Sequence, residues 1–164
     1  MSEYLHCYHS FDAYYQHDSQ ILILGSFPSV RSRKDNFYYA HPSNRFWKVL
    51  EQVYHMPCLS LEEKKNCLKT NKIALYDVID ECDIKNSSDS SIRNIKVCDI
   101  YQLINNSSIK IIILNGKTAY KYFIKYFKDI DIPYYLLPST SSANASCDLN
   151  TLILNFKAIL ANYL

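Results

Sequence analysis

Four short runs of almost uninterrupted apolar residues punctuate the chain: ILIL at 21 to 24, IALY at 73 to 76, IKIIIL at 109 to 114 and YYLL at 134 to 137. Runs of this length and β-branched content predict strands buried on both faces, as in a parallel sheet covered by helices. Between them the apolar spacing becomes helical. SNRFWKVLEQVY, at 43 to 54, puts Phe46, Trp47, Leu50, Val53 and Tyr54 on one face, with Ser43 as the expected N-cap. Ser60 and Glu63 stand at capping-box spacing and mark a helix start before the second strand. KTAYKYFIKYF after the third run and DLNTLILNFKAILANYL at the end predict two further helices. Strand and helix alternate, which predicts an α/β fold: a three-layer α/β/α sandwich around a central, mainly parallel four-stranded sheet. Residues 1 to 164 read as one domain, long enough to bury a core without metals or disulfides.

In such sheets ligands bind beyond the carboxyl ends of the strands, so the segments that follow the four runs carry the candidate chemistry. They are GSFPSV, DVIDEC, NGKTA and PSTSSAN, and the two glycines of the protein, Gly25 and Gly116, both lie among them. GSFPSV has neither the phosphate-cradling nor the dinucleotide glycine pattern, so nucleotide triphosphate chemistry is disfavoured and a tight turn is its plain reading. LPSTSSAN offers hydroxyls and amides that suit a phosphate, although a solvated loop before a helix has the same composition. YYAHPSNRFW, at 38 to 47, gathers two tyrosines, a histidine, an asparagine and the single tryptophan. Its Phe46 and Trp47 belong to the helical face and read as core; the preceding residues read as core rim or as a place where a ring and a polar side chain meet a flat substrate.

Composition narrows the functional classes. No stretch approaches a membrane span and the first residues lack a signal-peptide pattern, so no membrane partner and a cytoplasmic location are expected. Six cysteines without a C-x-x-C pair, and five dispersed histidines, support neither a zinc ribbon nor a metal cluster. No G-x-S-x-G elbow is present, which leaves covalent acyl chemistry weak. A formal charge of +2 is too small to indicate nucleic-acid binding by net electrostatics, so such contact needs a local patch. Arg93, in SIRN, reads as a surface salt-bridge partner.

Read in order, ILILGSFPSVRSRKDNFYYAHPSNRFW, IALYDVIDEC, DSSIRN, IIILNGKTA and LPSTSSANA resemble the uracil-DNA glycosylase superfamily, and within it the hypoxanthine-DNA glycosylase branch. The resemblance runs from about residue 20 to 145. It departs from the usual pattern at Ser29, where a glycine is common, and at Ser142, where a proline is.

The resemblance implies a monofunctional hydrolase that cuts a deaminated base from DNA, with no metal or cofactor, acting as a monomer in base excision repair. Gly25, Ser26, Phe27 and Pro28 match the G-x-x-P loop, whose water-directing Asp or Asn in other branches is here Phe27. The catalytic polar group is then the asparagine of the H-P-x-N-x-F-W block, Asn44, expected to place water through its carbonyl oxygen. An aromatic among Phe37, Tyr38 and Tyr39 is expected to stack on the flipped base, and backbone amides near Ser26 and Phe27 to donate to it. Asp77 either accepts from N1–H of hypoxanthine or caps a short helix after the second strand. Pro138, Ser139, Thr140, Ser141 and Asn144 are expected on DNA phosphate, and no lysine is placed for Schiff-base lyase chemistry. A uracil or mismatch-directed glycosylase, and an inert lesion-binding module, are the alternatives.

Overall fold

A computed structural model describes residues 3 to 163. Along the chain run β1 (Leu5–Tyr8), β2 (Ile21–Gly25), α1 (Val30–Asp35), α2 (Phe46–Tyr54), α3 (Leu61–Thr70), β3 (Ile73–Asp77) and β4 (Ile79–Ile84). After them come β5 (Arg93–Val97), α4 (Ile100–Asn105), β6 (Ile111–Asn115), α5 (Lys117–Phe127), β7 (Tyr134–Leu137) and α6 (Leu149–Leu160).

The four apolar runs form one parallel sheet in the order β3-β2-β6-β7. Because side chains alternate along a strand, each run feeds two cores. Ile21, Ile23, Ile73, Leu75, Ile111 and Ile113 pack with Phe46 and Leu50 of α2, Leu68 of α3 and Phe156 of α6. Leu22, Leu24, Ala74, Ile112 and Leu114 pack on the opposite face with Phe123 of α5 and Ile100 of α4. The sandwich is therefore three-layered as expected. Part of its second outer layer is a sheet, because Ile79, Cys82 and Ile84 of β4 join that core.

That small antiparallel sheet, in the order β1-β4-β5, was not legible in the sequence. DVIDEC, which reads as a loop, ends β3 at Asp77 and enters β4 at Ile79. Its acidic residues are poor strand formers, and its register with β5 shifts at two places, which breaks the alternation that would reveal a strand. The alternative for Asp77 as a helix cap is thereby excluded: Asp77 ends β3, and a strand follows, not a helix.

Helix boundaries follow their local chemistry. Ser60 and Glu63 make the expected capping box at α3, and α5 occupies residues 117 to 127 as the spacing predicts. The helix holding Phe46 and Trp47 starts later than expected. Ser43 is not its cap, because its hydroxyl is engaged with His41 and Ser142. Instead the Oδ1 of Asn44 accepts from the Phe46 N–H at 3.0 Å. Among the described residues no helix is long and apolar enough to cross a membrane.

Phe156 is fully buried where α6 meets the sheet. Phe156→Ala should lower the unfolding free energy by about 3–5 kcal/mol, read as a reduced urea midpoint at unchanged m-value.

Candidate active site

The carboxyl ends of the parallel strands are level. Gly25 pairs with Asp77, and Asn115 with Leu137, so the segments that follow them converge on a cleft of about 1030 Å³. Its floor is Gly25, Ser26, Phe27 and Asp77; its far wall is the loop from Pro138 to Asn144, with Tyr38, Tyr39 and Asn44 between.

Gly25 is required by close approach. A Cβ there would stand 2.5 Å from Asp77 Oδ1 and 3.2 Å from the Tyr39 hydroxyl oxygen. Asp77 is buried, and its Oδ2 lies 2.7 Å from Nε2 of His9, a ring that is itself almost wholly enclosed. Oδ1 has no protein donor among the described residues and belongs to the cleft lining. The Tyr39 hydroxyl is enclosed and makes no well-formed hydrogen bond. Burial, followed by the charge of Asp77, pushes its phenol up, against a smaller opposing influence of the Asn115 side chain, so it remains a donor. The backbone of Tyr39 is left-handed, with φ 53°, an uncommon conformation for an aromatic residue. One face of its ring stacks on Phe46 at 4.1 Å between centroids.

The three consecutive aromatics have separate fates. Phe37 does not line the cleft: it is buried and stacks on Trp47, which corrects its expected place at the base. Tyr38 is 2% exposed, and its hydroxyl donates to the Asp12 carbonyl. Tyr39 alone keeps a half-buried ring at the cleft.

Asn44 lines the cleft, but its carbonyl oxygen is fully used. It accepts from the Phe46 N–H and from the Thr140 hydroxyl at 2.9 Å, which fills both lone pairs and fixes which amide atom is oxygen. What Asn44 has left are the two Nδ2 hydrogens, without a partner among the described residues. The carbonyl oxygen, expected to place water, is thus engaged within the protein, and the amide hydrogens are what Asn44 presents to the cleft. Thr140 is corrected too. It is fully buried, accepts from Asn115 Nδ2 at 3.0 Å and donates to Asn44, so it joins two strand-end loops and does not face DNA.

Arg45 was passed over in the sequence, and it organises the far wall. Its guanidinium donates to the carbonyls of Thr140, Ser141, Asn144 and Cys147. The Asn144 side chain is used inside the same loop, where its amide donates to the Ser139 carbonyl. Ser139 and Ser141 hydroxyl oxygens accept from the N–H groups of Ser141 and Ala143, which leaves each O–H free to donate outward. Pro138 lies on the wall beside them. Gly116, at φ 106°, has Ser139 against it: a Cβ would come within 2.9 Å of that of Ser139.

Around the mouth, the Ser26 hydroxyl donates to both carboxylate oxygens of Asp89 at 3.0 and 2.9 Å. Desolvation in the cleft mouth pushes the Asp89 carboxyl up, against the opposing hydrogen bond from Ser26. The N–H groups of Ser26 and Phe27 have no backbone acceptor among the described residues. Lys117, exposed at the start of α5, adds one cation to the lining. Arg93 lies outside it, its guanidinium 3.5 Å above the Tyr4 ring instead of in a salt bridge. No group of three or more metal-ligating side chains occurs among the described residues.

This fold and cleft are shared with known proteins. A family model for the uracil DNA glycosylase superfamily matches residues 13–160, and the chain belongs to that superfamily. A protein of Methanosarcina acetivorans named hypoxanthine DNA glycosylase is 31% identical over 137 residues, covering 82% of this chain and 86% of its own. A Methanosarcina barkeri protein of the same name is 30% identical over 108 residues, covering 64% and 68%. A solution NMR structure from Methanosarcina acetivorans, described provisionally as a uracil DNA glycosylase, superposes with a TM-score of 0.81 at 28% identity, over 93% of this chain and 96% of that one.

Thr140→Val removes one hydroxyl and leaves the Asn115 amide and an Asn44 lone pair unsatisfied in a buried place. The variant should unfold about 1–3 kcal/mol more easily, measured by chemical denaturation.

Proposed function

We propose that this protein is a monofunctional DNA glycosylase that flips a deaminated base, hypoxanthine before others, into the cleft and hydrolyses its N-glycosidic bond. The observation that carries the reading is the carboxylate oxygen Asp77 Oδ1 beside Gly25 in the cleft lining, an acceptor without a protein donor among the described residues, next to the unpaired N–H groups of Ser26 and Phe27. Hypoxanthine presents N1–H next to O6, the complement of that pair, whereas adenine presents an acceptor next to a donor. The two relatives named hypoxanthine DNA glycosylase support the same choice.

A base within a duplex is out of reach, so the nucleotide must rotate out of the stack at a cost of a few kcal/mol, least where pairing is already damaged. Stacking on an aromatic ring of the cleft lining is worth roughly 1–3 kcal/mol per base. Ser139 and Ser141 hydroxyls and Lys117 hold the flanking phosphates. The solvated ammonium of Lys117 suits that duty, while a Schiff base needs a desolvated amine.

The bond breaks with positive charge growing on the sugar and negative charge on the departing base. Preorganised donors, the N–H groups of Ser26 and Phe27, stabilise the leaving anion. An Nδ2–H of Asn44 donates to the oxygen of a water and leaves that oxygen's other lone pair for C1′. The electrophile is strong enough that placement matters more than deprotonation. The C1′–O bond forms, and the water's proton ends on the released base.

Uracil carries an N–H beside a carbonyl as well, so a uracil-directed enzyme is the second reading, favoured by the same acceptor and donor. Duplexes with a single hypoxanthine, uracil, xanthine or mismatched thymine, treated with alkali after incubation, should be cut fastest at hypoxanthine. Faster cutting at uracil would transfer the assignment, and binding without any cutting would make the protein an inert lesion binder.

Asn44→Asp preserves both acceptor bonds to Oδ1 and removes the two donor hydrogens. The single-turnover rate on hypoxanthine should fall about a hundredfold at wild-type thermal stability. A retained or increased rate would refute the donor role and favour proton abstraction at this position.

A further inference from the structure

The reading above leaves His9 unused, although its ring is the group that holds Asp77. Residue 9 precedes the stretch matched by the superfamily model. Its side chain is 1% exposed, enclosed by Phe11, Tyr76, Tyr38 and Phe27. Nδ1 lies 2.8 Å from the Phe11 carbonyl oxygen. A carbonyl has no proton to give, so Nδ1 carries one and donates it.

Nε2 and Asp77 Oδ2, 2.7 Å apart, must then share a further proton, since two bare lone pairs would repel at that distance. With the proton on either atom, Oδ1 bears none. A carboxyl group alone can turn over and present a protonated oxygen; one tied through Oδ2 cannot. We propose that His9 is a positioning residue that makes Asp77 Oδ1 an obligate acceptor in the cleft, and so sets the preference for bases that carry a hydrogen on the ring nitrogen read there. The inference rests on the glycosylase reading for its substrate, and on the His9–Asp77 geometry alone for the pair.

The groups that face this pair are few. Burial by itself lowers His9, but Asp77, with smaller help from the Phe11 carbonyl and Asp80 of β4, more than reverses it and holds the imidazole above its ordinary 6.5. Around it stand the phenols of Tyr38, Tyr39 and Tyr76 and the thiol of Cys98, all pushed up, first of all by burial. Asp89, across the mouth from Asp77, is likewise pushed up, first of all by burial. Of these groups, His9 is the one whose ring nitrogen reaches Asp77 directly. The shared proton is present in full below 6.5 and is lost as pH rises through the raised value, and the hold on Asp77 goes with it.

The test compares single-turnover excision of hypoxanthine with that of unsubstituted purine, whose N1 has no hydrogen, in otherwise identical duplexes across the pH range in which free hypoxanthine nucleoside keeps its own N1 proton. Wild type should favour hypoxanthine and lose that preference on an alkaline limb. His9→Gln, whose amide still donates to Oδ2 but does not titrate, should keep the preference and lack the limb. His9→Leu should lose the preference about tenfold or more at every pH. A folded His9→Leu with the wild-type ratio and limb overturns the proposal.

A second measurement needs no catalysis: imidazole 15N NMR of the free protein should show His9 titrating above 6.5 and moving down by about one pH unit or more in Asp77→Asn. An unmoved titration overturns the pair whatever the enzyme cuts. Wild type that cuts no base overturns the substrate reading instead, with the NMR result still deciding the pair.

Discussion

The site depends on the register of the parallel ladder. Gly25 opposite Asp77, and Asn115 opposite Leu137, end their strands on one level, so four loops leave the sheet side by side. A shift by one residue would send Asp77 to the other face of the sheet and exchange every core contact along β3. The same apolar alternation that fills the two cores therefore fixes where the carboxylate stands. Stability and chemistry are specified together there, and Gly25 is the point at which they meet.

Around that level row, polar groups are joined in series. Asn115 holds Thr140, Thr140 holds Asn44, and Asn44 closes the first turn of α2 through the Phe46 N–H. Each link leaves one side chain with fewer options than its composition suggests. Asn44 keeps only its amide hydrogens unbonded among the described residues, and Asp77 is tied at one oxygen. Which atoms face the cleft is set by what these bonds leave over, and residue type alone does not show it.

Much of the frame was readable in the amino-acid pattern, since near-continuous apolar runs mark the four central strands and their ends mark the cleft. Asp77 and the serine-rich loop could be singled out because they follow those runs, and Asn44 because the block around it resembles the superfamily's pattern. Phe37, Tyr38 and Tyr39 could not be told apart. Three adjacent rings look alike until a left-handed turn at Tyr39 points one into the cleft and leaves Phe37 against Trp47. His9 and Arg45 escaped notice for another reason: their partners lie 68 and roughly 100 residues away, and neither position carries a local pattern. The small sheet was hidden by bulges and by acidic residues in β4.

Arg45 gives its guanidinium to four carbonyls of one loop while its own N–H is bonded to the same loop at Thr140. Lifting that loop would strip a cation of its partners and unpair the start of α2 together with it. The far wall therefore opens only as part of a larger cooperative unit and not as a flap. For the base rotation proposed above, an already ordered surface means that little conformational entropy is lost on contact, which leaves the binding energy for that rotation.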